Sequence, residues 1–157
     1  MQQAKQLSLL IAITAWATLI GGIVYAHLVY FPPYLSHLPE SNALITGPYA
    51  VRDENFWMRI HPVAILSTLV ALALNWKLPA TRKWIAAAAI IYTLVIIATA
   101  TYFLPGLLAF AGSGNSNLTA AEWYQRGQTW QYLSWLRGAC MFAGFILLLQ
   151  ALIKDRQ

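Results

Sequence analysis

The sequence predicts an all-α fold, an integral membrane four-helix bundle with both termini cytoplasmic, and three observations predict it. Of the 157 residues, 59% are hydrophobic and only 10% are charged; with a mean hydropathy of +0.56, a water-soluble domain of this composition would be coated in apolar side chains. The apolar residues gather in four runs, at about 7–31, 60–76, 84–104 and 130–153, each close to the roughly 20 residues that a helix needs to cross a bilayer core. None alternates as a barrel strand does. Helices, which satisfy every backbone amide within their own segment, are therefore the spanning structure expected, in a single domain covering residues 1–157.

The first run holds no charged side chain, and His27 is its one readily ionisable group. Lys5 ahead of it imitates a secretion signal. The run outlasts the roughly 7–15 apolar residues of a signal core and lacks a small-residue cleavage site, so it is expected to be retained as a span. The second run follows Asn55-Phe56-Trp57-Met58-Arg59, with His61 near its start and Pro62 where an early-turn proline is tolerated. The third opens at Trp84. Ahead of the fourth, Thr119-Ala120-Ala121-Glu122 has the spacing of a capping box, so this helix is expected to begin outside the bilayer. Along it Arg126, Trp130, Ser134, Arg137 and Met141 recur at intervals of three and four and share one face.

Orientation follows from the cations. Lys5, then Lys77, Arg82 and Lys83, then Lys154 and Arg156 flank the runs on one side, which the positive-inside tendency makes cytoplasmic. The other side holds two outer connections, 32–55 and 105–129, with Glu40, Asp53, Glu54 and Glu122. The first, punctuated by Pro32, Pro33, Pro39, Gly47 and Pro48, reads as an ordered interfacial segment; the second, through Gly112-Ser113-Gly114-Asn115-Ser116-Asn117, reads as a mobile lid. The net charge of +5 is explained by the flanks, where anionic lipid attracts it, and calls for no nucleic acid. A multi-pass protein of a bacterial inner (plasma) membrane is expected. Cys140, the single cysteine, lies inside the fourth run and reads as a packed core thiol.

Three side chains stand out as candidates for chemistry. Arg137 lies beyond Trp130, Tyr132 and Trp135, below the aromatic belt they mark; a charge near the bilayer centre costs about 2.5–3.5 kcal/mol, so it either finds a partner inside the bundle or snorkels to the headgroups. His27 continues the face of Trp16, Ile20 and Ile23. His61 sits at similar depth on the neighbouring helix. Two such imidazoles are candidate axial ligands of a haem iron, or could join Asp53, Glu54 or Glu122 around a non-haem transition metal. Against this stand simpler readings: a histidine hydrogen-bonded within the bundle, a solvated loop His37, an Asp53 that only caps the second helix, and Glu54 or Glu122 paired with Arg59 or Arg126.

Gly21-Gly22 before a tyrosine-rich helix end, then Phe31-Pro32-Pro33-Tyr34-Leu35, Leu38-Pro39 and Phe56-Trp57, resemble the four-helix membrane proteins of the anthrone-oxygenase-like family. Trp130-Gln131-Tyr132-Leu133-Ser134-Trp135-Leu136-Arg137 is similar to that family's last helix. The resemblance covers most of the chain on loose motifs. It implies four spans and, as in some relatives, oxidation of polycyclic phenolic substrates by molecular oxygen, with His27 or His61 as base or ligand and Arg137 holding a developing oxyanion.

Two functions are expected from these residues. One is a small membrane oxidoreductase or oxygenase, with an outward-facing polar pocket between helices one, two and four, acting on a lipophilic small molecule. The other is a non-enzymatic subunit that docks a membrane-protein partner, or a second copy in a homo-oligomer, through the outer polar stripe. Gly21, Gly22, Gly138 and Gly144 would serve close helix packing under either. A transporter is the weaker reading, because no pair of broken helices is visible.

Overall fold

The computed structural model describes residues 2–155, and Arg156, one of the flanking cations, lies outside them. Four helices, α1 (Gln2–Ser36), α2 (Glu54–Leu74), α3 (Pro79–Ala111) and α4 (Ala120–Asp155), account for most of the chain, and no strand occurs among the described residues. All four are long and apolar enough to cross a membrane. α1 packs against α2 and α4, and α3 packs chiefly against α4 and more lightly against α2, which closes an up-down-up-down bundle. The outward faces carry exposed Leu, Ile, Val and Phe, the surface expected against lipid. This is the predicted all-α four-helix bundle.

The helices overrun the apolar runs from which they were predicted. α1 continues through Pro32 and Pro33 to Ser36, α3 continues through Pro105 to Ala111, and α4 starts ten residues ahead of its run at Ala120. Proline inside a helix has no N–H to give and its ring meets the carbonyl four residues back. In α1 and α3 the interior prolines follow a widened turn: a π-helical segment Ala26–Tyr30 precedes Pro32 and Pro33, and a second, Thr99–Phe103, precedes Pro105. The wider turn moves that carbonyl off the ring. It also frees acceptors: the next i→i+5 acceptor after Ala26 is His27, whose would-be donor is Pro32, and its carbonyl accepts instead from Gln131 Nε2 on α4 at 3.3 Å. The two turns sit in a repeated pattern, Tyr30-Phe31-Pro32-Pro33 and Tyr102-Phe103-Leu104-Pro105, one in each helical hairpin.

Away from the long connections the core is built on Trp16, which is fully buried. Its Nε1 donates to Thr68 Oγ1 at 2.9 Å, Thr68 donates onward to the Ala64 carbonyl at 2.7 Å, and its ring lies 5.1 Å from that of Tyr92. Gly144 lets α4 approach, since a methyl group there would collide with the indole.

At the loop end the two connections are tied together. Asn42 Nδ2 donates to Ser113 Oγ at 3.0 Å and to the Ala111 carbonyl at 3.2 Å, and Trp123 Nε1 donates to Ser116 Oγ at 3.0 Å. The 112–117 stretch, read from its composition as a mobile lid, is thus a short 3₁₀ turn, Ser113–Asn115, with Ser113 buried. The capping box is present as predicted: the Thr119 amide donates to Glu122 Oε2 at 2.8 Å, and the Glu122 amide to Thr119 Oγ1 at 3.3 Å.

Candidate functional site

The two π turns carry the site. His27 lies in the first and is 2% exposed. Its Nδ1 donates to the Ile23 carbonyl at 2.8 Å, the bond that a neutral ring makes from a protonated Nδ1, and Nε2 is buried with no partner. The ring is held between Trp135, centroids 4.5 Å apart, and the edge of Phe31 at 5.2 Å. A bare imidazole lone pair enclosed by aromatic rings is costly unless something comes to use it.

Arg137 faces the second π turn. Nη1 donates to Thr99 Oγ1 at 3.1 Å, Nη2 donates to Ser134 Oγ at 3.0 Å, and the guanidinium carbon stands 4.2 Å from the centre of the Phe103 ring. Thr99 passes its own proton to the Val95 carbonyl at 2.7 Å. Of the two expectations for Arg137, the inward one is what the geometry gives, and its partners are neutral hydroxyls and an aromatic face, not a carboxylate. None of these partners carries a charge that would cancel its own.

His61 on α2 has Nδ1 2.7 Å from the Tyr92 hydroxyl of α3. Trp57 flanks its ring at 5.9 Å. All four helices thus contribute side chains: His27 from α1, His61 from α2, Thr99 and Tyr92 from α3, Arg137 and Ser134 from α4. The sequence reading named the two histidines and the arginine. It missed Thr99, Tyr92, Ser134 as an arginine ligand, and Gln131, although the repeated Tyr-Phe-x-Pro pattern marks the turns that present the first of these.

The carboxylates expected to join the histidines do not. Glu54 is exposed at the start of α2, and Glu122 is occupied in the capping box at the far end of α4. Among the described residues no group of three or more His, Cys, Asp or Glu side chains comes together. The donor set does not fit a resident metal. The two imidazoles are packed in separate aromatic surroundings, His27 against Trp135 and Phe31 and His61 against Trp57 and Tyr92, and not around one haem plane.

The larger of those cavities, about 630 Å³, is walled by α1, α2 and the first connection, with no contribution from α4. The polar pocket predicted between helices one, two and four is therefore two separate features, this crevice and the His27–Arg137 centre. Asp53, at the crevice, does not cap α2 with its side chain; its Oδ2 accepts from Trp57 Nε1 at 3.0 Å. Burial, reinforced by the neighbouring Glu54 carboxylate, holds the Asp53 carboxyl above the usual carboxylate range, with the Trp57 bond acting the other way. His37 is exposed and bonded to Ser36 Oγ at 2.7 Å, in keeping with a solvated loop residue. Cys140 is exposed, not packed in the core as expected, because it falls on the outward face of α4.

Comparison of the chain with protein-family models, characterised proteins and solved structures gives no match.

Proposed function

We propose that this is a multi-pass protein of a bacterial inner membrane, with both termini cytoplasmic, that oxygenates a lipophilic carbon acid without a bound metal or haem. The observation that supports it most is the unpartnered His27 Nε2, buried against Trp135 two residues before Arg137 on α4, an arginine whose hydrogen bonds go to hydroxyls and not to a carboxylate. A lone pair that can take a proton and a cation that can hold the resulting oxyanion are the two groups needed to ionise a methylene next to an aryl ketone. His27 Nε2 takes the proton, and the electron pair moves onto the carbonyl oxygen at Arg137. The enolate then passes its electrons to dioxygen, forming a C–O bond; the peroxide takes back the proton and loses water. The sum is CH₂ plus O₂ giving C=O plus H₂O, so no external reductant enters. The resemblance to the anthrone-oxygenase-like family points the same way.

Docking of a partner through Arg137 is the lesser reading, because the guanidinium is turned toward α3. The test uses the full chain in lipid nanodiscs with anthrone as the carbon acid, following oxygen uptake and quinone absorbance. One O₂ per quinone is expected, falling about 100-fold or more in His27→Ala and Arg137→Ala and unchanged in His37→Ala. Turnover no faster than in empty nanodiscs, or equal in all variants, overturns the reading.

A further inference from the structure

The crevice between α1 and α2 is not an ordinary packing gap. The corresponding crevice of the second hairpin, between α3 and α4, is only about 360 Å³. There Trp130 is 2% exposed, lies against Gly106 with no room for a Cβ, and donates to the Phe103 carbonyl of α3 at 3.1 Å. In the first hairpin Trp57 is held by Asp53 of its own helical end, and the space between the helices is open at about 630 Å³. That volume lies within the roughly 300–1,000 Å³ that encloses a single small ligand.

The lining states what such a ligand is. Four aromatic side chains, Tyr25, Tyr30, Phe56 and Trp57, line it, and ring faces attract cations. Its polar end is the half-buried Asp53 carboxylate. The neighbouring Glu54 carboxylate acts on it in the same sense as burial, and the exposed Arg52 also lines the crevice. A half-buried negative group, set among aromatic rings and next to lipid, has the makings of a receptor for a positive charge carried on an apolar body.

We propose that the α1–α2 crevice binds a lipophilic organic cation, its charge against Asp53 and the rings of Tyr30 and Trp57, its apolar part along Gly21 and Phe56. The site is separate from His27 and Arg137, so it stands or falls independently of the proposed oxygenase chemistry.

The experiment is equilibrium binding of tetraphenylphosphonium to the full chain in nanodiscs, read also by quenching of tryptophan fluorescence, with tetraphenylborate as the anion of the same shape. Saturable binding of the phosphonium is expected, at least about tenfold tighter than the borate. Asp53→Asn, which keeps an acceptor for Trp57 and removes the charge, weakens it about tenfold or more. Gly21→Leu abolishes it by filling the crevice, where a Cβ at Gly21 meets nothing within 4 Å. His27→Ala and Arg137→Ala bind as the parent does. Borate binding as tight as the phosphonium, or parent-like affinity in both crevice variants, overturns the proposal.

Discussion

Arg137 reaches from α4 to Thr99 of α3, with Nη1 3.1 Å from Oγ1, and so ties the widened turn of one helix to the cation of the next. Widening changes which way residue 99 points, and Thr99 can bridge because its own hydroxyl is anchored on the Val95 carbonyl. The bridge leaves the guanidinium solvated by protein hydroxyls in a place where water is scarce. Thr99→Val keeps the shape and removes the acceptor. It is expected to lower stability by about 0.6–2 kcal/mol, the range of interhelical hydrogen bonds in membranes, measured as a lowered unfolding midpoint in mixed micelles. A midpoint identical to the parent's would mean the bond contributes nothing net.

Glycines 21 and 144 make opposite predictions from the same substitution. A Cβ at Gly144 runs into the Trp16 ring, which is fully buried and pinned by Thr68, so Gly144→Ala should cost about 1–3 kcal/mol as the core is forced apart. A Cβ at Gly21 meets nothing within 4 Å. Gly21→Ala should therefore gain roughly 0.5–1 kcal/mol through helix propensity alone. Paired thermal melts check this, and a loss at Gly21 equal to that at Gly144 would count against the packing described.

Asn42 is the residue that joins the two long connections. Asn42→Ala removes its bonds to Ala111 and Ser113, at about 0.5–1.5 kcal/mol each. The bundle should remain folded while the 112–117 stretch becomes faster to cleave by limited proteolysis. Cleavage at the parent's rate would show that the tie is not what holds this stretch.

Much of this was legible in the chain. Hydropathy alone locates four spans, Thr119 and Glu122 announce the start of α4, and the periodicity through Trp16, Ile23 and His27 places the histidine inward, where it is. What local patterns do not carry is where helices continue. Pro32, Pro33 and Pro105 read as stops, because the cost of proline in a helix is known from regular turns and not from π turns that relieve it. Nor could charge pairing reveal the partners of Arg137. Two hydroxyls and a ring hold it, brought together from positions 38 residues apart in sequence at Thr99 and Arg137. The crevice was invisible for a related reason: its walls come from α1, the first connection and the start of α2, which only the fold brings together.

Asp53 also fixes a dependence on pH whose sign can be worked out. Its carboxyl is raised in the folded protein, by burial first and by Glu54 second, so the folded state holds the Asp53 proton more tightly than the unfolded chain does. Folding is then penalised most where Asp53 is ionised in both states, above its folded pKa. As pH falls through that value the penalty fades, and it is gone below the ordinary carboxylate value of about 3.9, where both states are protonated. Asp53→Asn should accordingly be more stable than the parent near pH 7, and the two should converge as pH falls toward about 3.9. Because every other acid is common to both proteins, the difference between their unfolding midpoints isolates residue 53. Binding of a cation at the crevice should weaken over the same interval, since protonation removes the charge that attracts it. A stability difference that grew on acidification would require Asp53 to be stabilised as the anion in the fold, and would remove the basis for the crevice's preference for a cation.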